Sequence, residues 1–328
     1  MASITLLLPP ASRLAGRLPP VIARAFGRAD VLPLDQVGER AQLLRHFDIL
    51  PRGWPIAALT RQLDSGDAEG ALWLRADPAW VRPDISGARL FACGDGLQPT
   101  QADCDALLPA LRPIFGDAGF QLDAPVPSRW YLRLPAGSKL PSFADPVDAL
   151  GADVFEHLPA DAGNEAAIAR RWRSLLNEAQ VVLHNHPWNE RRAAAGKPPI
   201  NSLWFWGAGV RPERVHSHFA NVYTDDSVLR AFAAAAAATV SNLPVELPAE
   251  AAGGDCLFDL RAQRDLSTLH RDWLLPATAA ISSSGVEETR FDFPDRDGIR
   301  LRAGQRWRVW RKPLGTLAQV DASERAST

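Results

Sequence analysis

The chain is poor in sulfur, with one methionine and three cysteines in 328 residues. Cys93, Cys104 and Cys256 are odd in number, far apart and in no Cys-x-x-Cys pairing. That excludes a disulfide framework or zinc ribbon and points to reduced thiols in a cytoplasmic protein. Charge of one sign is lacking too. A formal net charge of -2 supplies no concentrated field for nucleic acid or an anionic membrane, so neither is an expected partner. The densest short basic cluster, Arg170-Arg171-x-Arg173, reads as the wet face of a helix. No apolar run reaches the roughly 20 residues that a bilayer requires. The alanine run Ala233–Ala238 comes nearest, closely bounded by Arg230 and Ser241. The opening MASITLLLPP has no basic n-region and too short an apolar stretch for a secretory signal. Gly-x-Ser-x-Gly is absent, which removes the hydrolase nucleophile elbow. Cys93 precedes Gly94-Asp95-Gly96, more economically a turn after a strand than a nucleophile's setting.

What is present is an ordinary globular balance, 46% hydrophobic and 23% charged, in a chain long enough for two lobes. Its elements alternate between strand and helix. Strands are expected at Ile4 to Leu8, Ala71 to Leu74, Ala88 to Ala92, Phe120 to Leu122, Trp130 to Leu134, Ala220 to Tyr223 and Cys256 to Leu260. Helices are expected at Glu39 to Phe47, Pro55 to Leu63, Gln101 to Phe115, Ala166 to Ala179, Val228 to Val240 and His270 to Ser282. Val286 to Phe293 and Ile299 to Lys312 alternate as a hairpin around Asp295-Arg296-Asp297-Gly298. This grammar is that of an α/β fold whose ligands gather where strands end.

The most distinctive stretch is His184 to Gly209, HNHPWNERRAAAGKPPINSLWFWGAG. Val181 to Pro187 reads as a buried strand entering a loop, since β-branched residues lead to a proline that cannot continue a ladder. A short helix from Asn189 to Ala195 and an apolar run from Ile200 to Trp206 follow. Asn185, His186, Asn189, Arg192 and Asn201 are the ligand-pocket candidates, with Trp206, Gly207 and Gly209 beside them. Amides donate and accept, and an arginine fork matches a carboxylate or phosphate. On that reading Arg192→Ala weakens anion binding without unfolding the protein. The competing reading makes these groups caps of the loop and packing of the strand, for which a Gly-x-Gly and two tryptophans on one face are ordinary material. Two histidine pairs, His184 with His186 and His216 with His218, offer an alternative metal site, with Asp225 or Asp226 as a further ligand.

Asn189-x-x-Arg192-x-x-x-Gly196-x-x-x-x-Asn201, followed by an apolar run into Gly207-x-Gly209, resembles a stretch of the archaeal-type cofactor-independent phosphoglycerate mutases. From Leu72–Trp80 to the tryptophans at 307 and 310, the chain is more similar still to their bacterial relatives, the RpfE-type regulatory proteins. The resemblance implies an alkaline-phosphatase/phosphoglycerate-mutase-like α/β core with a smaller inserted α+β lobe. It implies a first part of the core at 1–80, the lobe at 81–160, the second part with the hairpin at 161–316 and a flexible tail at 317–328. The mutases place an Asp-Gly and a metal-bound serine near the start and Asp/His clusters near the end. Here Ile4 to Leu8 runs into Pro9-Pro10-Ala11-Ser12 without an aspartate, and Asp255, Asp259, Asp265, His270 and Asp272 are spaced otherwise. Two divalent metals need several converging carboxylates and imidazoles. The expectation is a mutase-shaped regulatory protein without mutase chemistry, holding no cofactor and binding a small anionic metabolite or a protein partner. The alternative is a phosphoglycerate mutase or related phosphotransferase with a rearranged histidine site for Mn or Zn. Catalytic residues and oligomeric state stay unassigned.

Overall fold

A computed structural model describes residues 2–84, 87–159, 166–248, 253–283 and 285–318. In chain order the strands are β1 (Ala2–Leu7), β2 (Asp30–Leu32), β3 (Asp48–Leu50), β4 (Leu72–Asp84), β5 (Gly87–Cys93), β6 (Gln121–Val126), β7 (Arg129–Leu134), β8 (Ser202–Gly209), β9 (Arg214–His216), β10 (Asn221–Tyr223), β11 (Thr239–Ser241), β12 (Cys256–Asp259), β13 (Val286–Asp292) and β14 (Gly298–Arg302). The helices are α1 (Pro20–Arg28), α2 (Glu39–Leu44), α3 (Ile56–Ser65), α4 (Gln101–Asp117), α5 (Pro146–Ala149), α6 (Val154–His157), α7 (Ala166–His184), α8 (Trp188–Ala194), α9 (Ser227–Ala235), α10 (Leu266–Thr268) and α11 (Leu275–Ser283).

The fold is mixed α/β and divides into two compact units, 1–50 with 214–328, and 51–213. The division differs from the expected boundaries at 80 and 160. The 13-residue strand β4 pairs with β5, β7 and β8, so residues on both sides of each expected boundary belong to one sheet.

The first unit holds a seven-stranded sheet in the order β11-β10-β12-β1-β13-β14-β2. β11, β10, β12, β1 and β13 are parallel, while β14 and β2 close one side antiparallel. β1 and β12 are almost wholly buried, as central parallel strands are, which explains their near-continuous apolar sequences. Ile4, Leu6, Phe258 and Phe291 form one core with Ile22 and Phe26 of α1, Trp273, and Ala277 of α11. α1 begins at Pro20, where a missing N–H costs nothing, and Asp226 caps α9 by accepting from Leu229 N at 2.7 Å.

The second unit carries a sheet in the order β5-β4-β7-β6, with β8 joined to β4. α4 and α7 supply Leu107, Leu111, Trp172 and Leu176 to one core, and Ala57 and Ala58 of α3 pack with Trp73 and Tyr131 in another. Thr100 and Asp103 close a capping box at the start of α4.

Four expectations are corrected. Val181 to His184 is helix, not strand, because Ala169, Trp172, Leu176, Ala179 and Leu183 continue one buried helical stripe that overrides β-branched preference. The Val228 helix ends at Ala235, and Thr239–Ser241 adds an edge strand parallel to β10. Arg214–His216, outside the strands expected from sequence, is β9, paired with β3. The hairpin's second strand stops at Arg302 instead of continuing to Lys312. The tail expected from 317 begins with a buried Leu317, and residues 319–328 lie outside the described ones. Among the described residues, no helix is long and apolar enough to cross a membrane.

Candidate functional site

In the second unit the residues of His184 to Gly209 come together, yet mostly on each other. Asn189 Nδ2 donates to the carbonyls of Leu183 and Ile200, and its Oδ1 accepts from Ile200 N at 2.9 Å. Asn201 reaches Val81 from both ends, donating to its carbonyl at 2.7 Å and accepting from its N–H at 2.9 Å. Arg192 is buried, its guanidinium on Asp103 Oδ2 at 2.8 Å and on the carbonyls of Leu97 and Pro198. His186 Nδ1 accepts from Trp188 N, and exposed Asn185 donates to Val181 O. Trp206 Nε1 donates to Asp77, which also receives Arg75 Nε and Nη2 and Trp130 N. Each of those donors is an N–H, a set that the ionised carboxylate accepts. Arg75 lies 5.0 Å from the Trp206 ring and 5.3 Å from that of Tyr131, so the whole assembly is a packed polar layer.

Gly207 and Gly209 have a packing reason. Gly207 has φ +64°, and a Cβ there would stand 2.9 Å from Ile56 Cβ, while one on Gly209 would stand 2.7 Å from Pro55 Cα. α3 rests on β8 where only hydrogen fits.

The two histidine pairs belong to different units. The premise of extended backbone fails for the first, because His184 ends α7 and His186 N donates to Leu183 O. His216 sits on β9 opposite Asp48, and the His218 ring packs 4.0 Å from that of Phe219. Burial and the neighbouring His46 hold the His218 imidazole below its ordinary pKa.

Topology points to a second place, in the first unit. β10 leaves through α9 to β11, away from the sheet centre, whereas β12 leaves through α10 and α11 to β13, in the other direction across β1. Connections that leave neighbouring strands in opposite directions make a topological switch point at the carboxyl ends of β10 and β12, the position where open α/β sheets hold their ligands. Thr224, Asp226, Asp259 and Arg261 lie there. Arg261 forks onto Asp259 with two contacts of 2.8 Å, reaches Asp226 at 3.2 Å and has Glu39 at 3.9 Å. Thr224 Oγ1 donates to Asp259 Oδ2 at 2.8 Å. Burial would raise the Asp259 carboxyl, but the Arg261 guanidinium and these hydrogen bonds hold it below the usual carboxylate range.

Next along the same edge, Asp292 at the end of β13 receives Arg45 Nη2 at 3.0 Å and faces His46 Nε2 at 3.0 Å. Asp295 accepts from Ala11 N at 2.7 Å and from Ser12 N at 3.1 Å, so the turn after β1 is tied by a carboxylate to its backbone. Among the described residues, no group of three or more His, Cys, Asp or Glu is placed to hold a metal ion. The acids at this edge are matched to guanidiniums and N–H groups, and that donor set does not fit a two-metal phosphoryl-transfer centre. Sequence reasoning missed Glu39, Arg45, His46, Arg261, Asp292 and Asp295 as site residues. The available signal was the Phe-Asp at the end of two apolar strands, Phe258-Asp259 and Phe291-Asp292.

No family model matches the chain. It is similar to a probable 2,3-bisphosphoglycerate-independent phosphoglycerate mutase of Geobacter sulfurreducens, 35% identical over 112 residues, covering 34% of this chain and 27% of that protein. It is also similar to 2,3-bisphosphoglycerate-independent phosphoglycerate mutase 2 of Methanothermobacter thermautotrophicus, 40% identical over 67 residues, covering 20% of this chain and 16% of that one. The chain thus matches about a quarter or less of the length of these curated relatives. Among solved structures, the cofactor-independent phosphoglycerate mutase of Thermoplasma acidophilum aligns over 93% of this chain and 90% of its own, with TM-score 0.43 and 17% identity.

Proposed function

We propose that this chain is a phosphoglycerate-mutase-like protein that does not turn over phosphoglycerate. On this reading it is a regulator of the RpfE type that binds a small anionic metabolite or a protein partner and needs no resident divalent ion. The observation that carries the reading is Arg261. A fixed guanidinium sits among Asp259, Asp226 and Glu39 at the switch point where an open α/β sheet binds its ligands. A permanent cation there neutralises the acids that a metal would need. The partial sequence likeness to mutases supports the ancestry, and the arginine pairing supports the loss of chemistry. In the segment from His184 to Gly209, exposed Asn185 and half-buried His186 are the groups offered to a ligand, while Asn189, Arg192 and Asn201 hold the backbone that presents them.

Metal content and turnover of 3-phosphoglycerate in Mn²⁺, measured on the same preparation, test this. The expected result is neither stoichiometric Mn or Zn nor turnover above the protein-free rate. Turnover together with a metal that is lost in His216→Ala/His218→Ala would establish the enzymatic alternative instead.

A further inference from the structure

The stretch from Ile299 to Val320 holds six basic residues, Arg300, Arg302, Arg306, Arg308, Arg311 and Lys312, and no acid. It interleaves them with Trp307, Val309 and Trp310, which are 67%, 70% and 75% exposed. Large apolar side chains clustered in water mark an interaction surface more often than a packing accident. Next to them, residues of α1, α11 and β14 and the turn after β14 enclose a groove of about 250 Å³. Its apolar lining includes Val21, Ala25, Ile281 and Leu301, and Arg24, Arg28 and Arg306 also line it. Val21, Arg24 and Arg28 recur at i, i+3 and i+7, so α1 turns this mixed stripe outward while Ile22, Ala23 and Phe26 enter the core.

Four other cations nearby are already engaged. Arg300 and Arg308 pair with Asp30, Arg302 pairs with Glu288, and Arg311 donates to Ala29 O. Among the described residues, Arg24, Arg28 and Arg306 have no carboxylate within ion-pair distance, and Arg28 donates only to Arg306 O. Three guanidiniums without acids around an apolar recess define the complement that is missing.

We propose that this groove docks an acidic, partly apolar peptide segment of a protein partner. Carboxylates of such a segment satisfy the guanidinium forks, an aliphatic side chain fills the recess, and the flanking tryptophans supply the contact area that anchors interfaces. The recess is concave, with Leu301 only 4% exposed in it, a shape that accepts a side chain better than a flat bilayer surface. The tryptophans stand outside the lining, so it offers no stacking platform for bases. The proposal deepens the partner-binding half of the reading above and rests on it.

A fluorescein-labelled dodecapeptide of Glu and Leu, titrated with the full chain and followed by anisotropy, is the test. Wild type binds, more weakly as salt rises. Arg24→Glu/Arg306→Glu weakens binding by about tenfold or more, Trp310→Ser weakens it by a smaller factor, and Arg112→Glu/Lys139→Glu, with the same change in net charge, leaves it unaltered. The exchanged side chains are exposed, so thermal melts of these variants should coincide with wild type. Should the charge reversal melt early, Arg24→Gln/Arg306→Gln reads the same loss. Absence of peptide binding overturns the proposal. So does an equal loss in the control pair, or binding of phosphatidylglycerol vesicles or oligo(dT) in place of the peptide. Turnover of 3-phosphoglycerate with peptide binding intact removes only the non-catalytic reading, and absent binding without turnover removes only the groove.

Discussion

Arg192 of α8 places Nη1 2.8 Å from Oδ2 of Asp103 on α4, and both side chains are almost out of solvent, at 2% and 4% exposure. Burial would raise the Asp103 carboxyl, but hydrogen bonds from Trp188, Thr100 and Arg192 hold it below the ordinary range. Deleting the arginine leaves a buried carboxylate short of its charge partner, a loss of about 3–5 kcal/mol. Arg192→Ala should therefore unfold at markedly lower urea, with part of the loss regained in Arg192→Ala/Asp103→Asn. A variant as stable as wild type, impaired only in anion binding, would restore Arg192 to the ligand-binding role expected from sequence.

Gly207→Ala forces a side chain into φ +64° with its Cβ 2.9 Å from Ile56 Cβ. A cost of about 1–3 kcal/mol is expected for the backbone strain alone. Gly209→Ala meets Pro55 Cα at 2.7 Å and should cost at least as much, since backbone must move. Equilibrium denaturation checks both, and a neutral result for both would detach the glycines from α3 packing.

The Asp259–Arg261 pair makes an acid-side prediction. The folded carboxyl lies below its unfolded value of about 3.9. Its stabilisation is therefore complete above that value and is lost as pH falls through the folded one. Arg261→Met removes the cation that keeps it low and leaves burial to raise it, so the variant should be less stable than wild type at pH 6, and the gap should narrow as pH falls towards 3. Denaturation midpoints taken between pH 6 and pH 3 decide this; coincident profiles for the two proteins count against the pairing.

His270 works near neutrality. Its Nε2 is buried without a hydrogen-bond partner among the described residues, and burial holds its pKa below 6.5, opposed only by Asp265. The unfolded chain binds this proton more readily, so stability is full above about pH 6.5 and declines as pH falls below it. His270→Leu should flatten the slope of melting temperature between pH 7 and pH 5. A slope that stays the same assigns the proton uptake elsewhere.

Helices with a long one-sided apolar stripe are legible in the sequence. Gln101 to Phe115 became α4 with its start exact, and Ala166 to Ala179 became most of α7. Val181 and Val182 misled because a local β preference is worth less than continuing a stripe that buries Ala179 and Leu183 on one face. The roles of the candidate pocket residues are not legible in sequence for a related reason. Amide and guanidinium groups look alike in sequence whether they await a ligand or satisfy backbone carbonyls, and here Asn189, Arg192 and Asn201 do the latter.

By itself the sequence determined the α/β alternation, the central buried strands and the lack of a mutase-type aspartate after β1, because hydrophobic period and residue identity are local properties. Only the tertiary structure decided that Arg261 would meet Asp259, Asp226 and Glu39, and that Arg24 would share a groove with Arg306. Those partners are separated by up to hundreds of residues, and only the folding of α1, β12 and β14 onto one sheet brings them within reach.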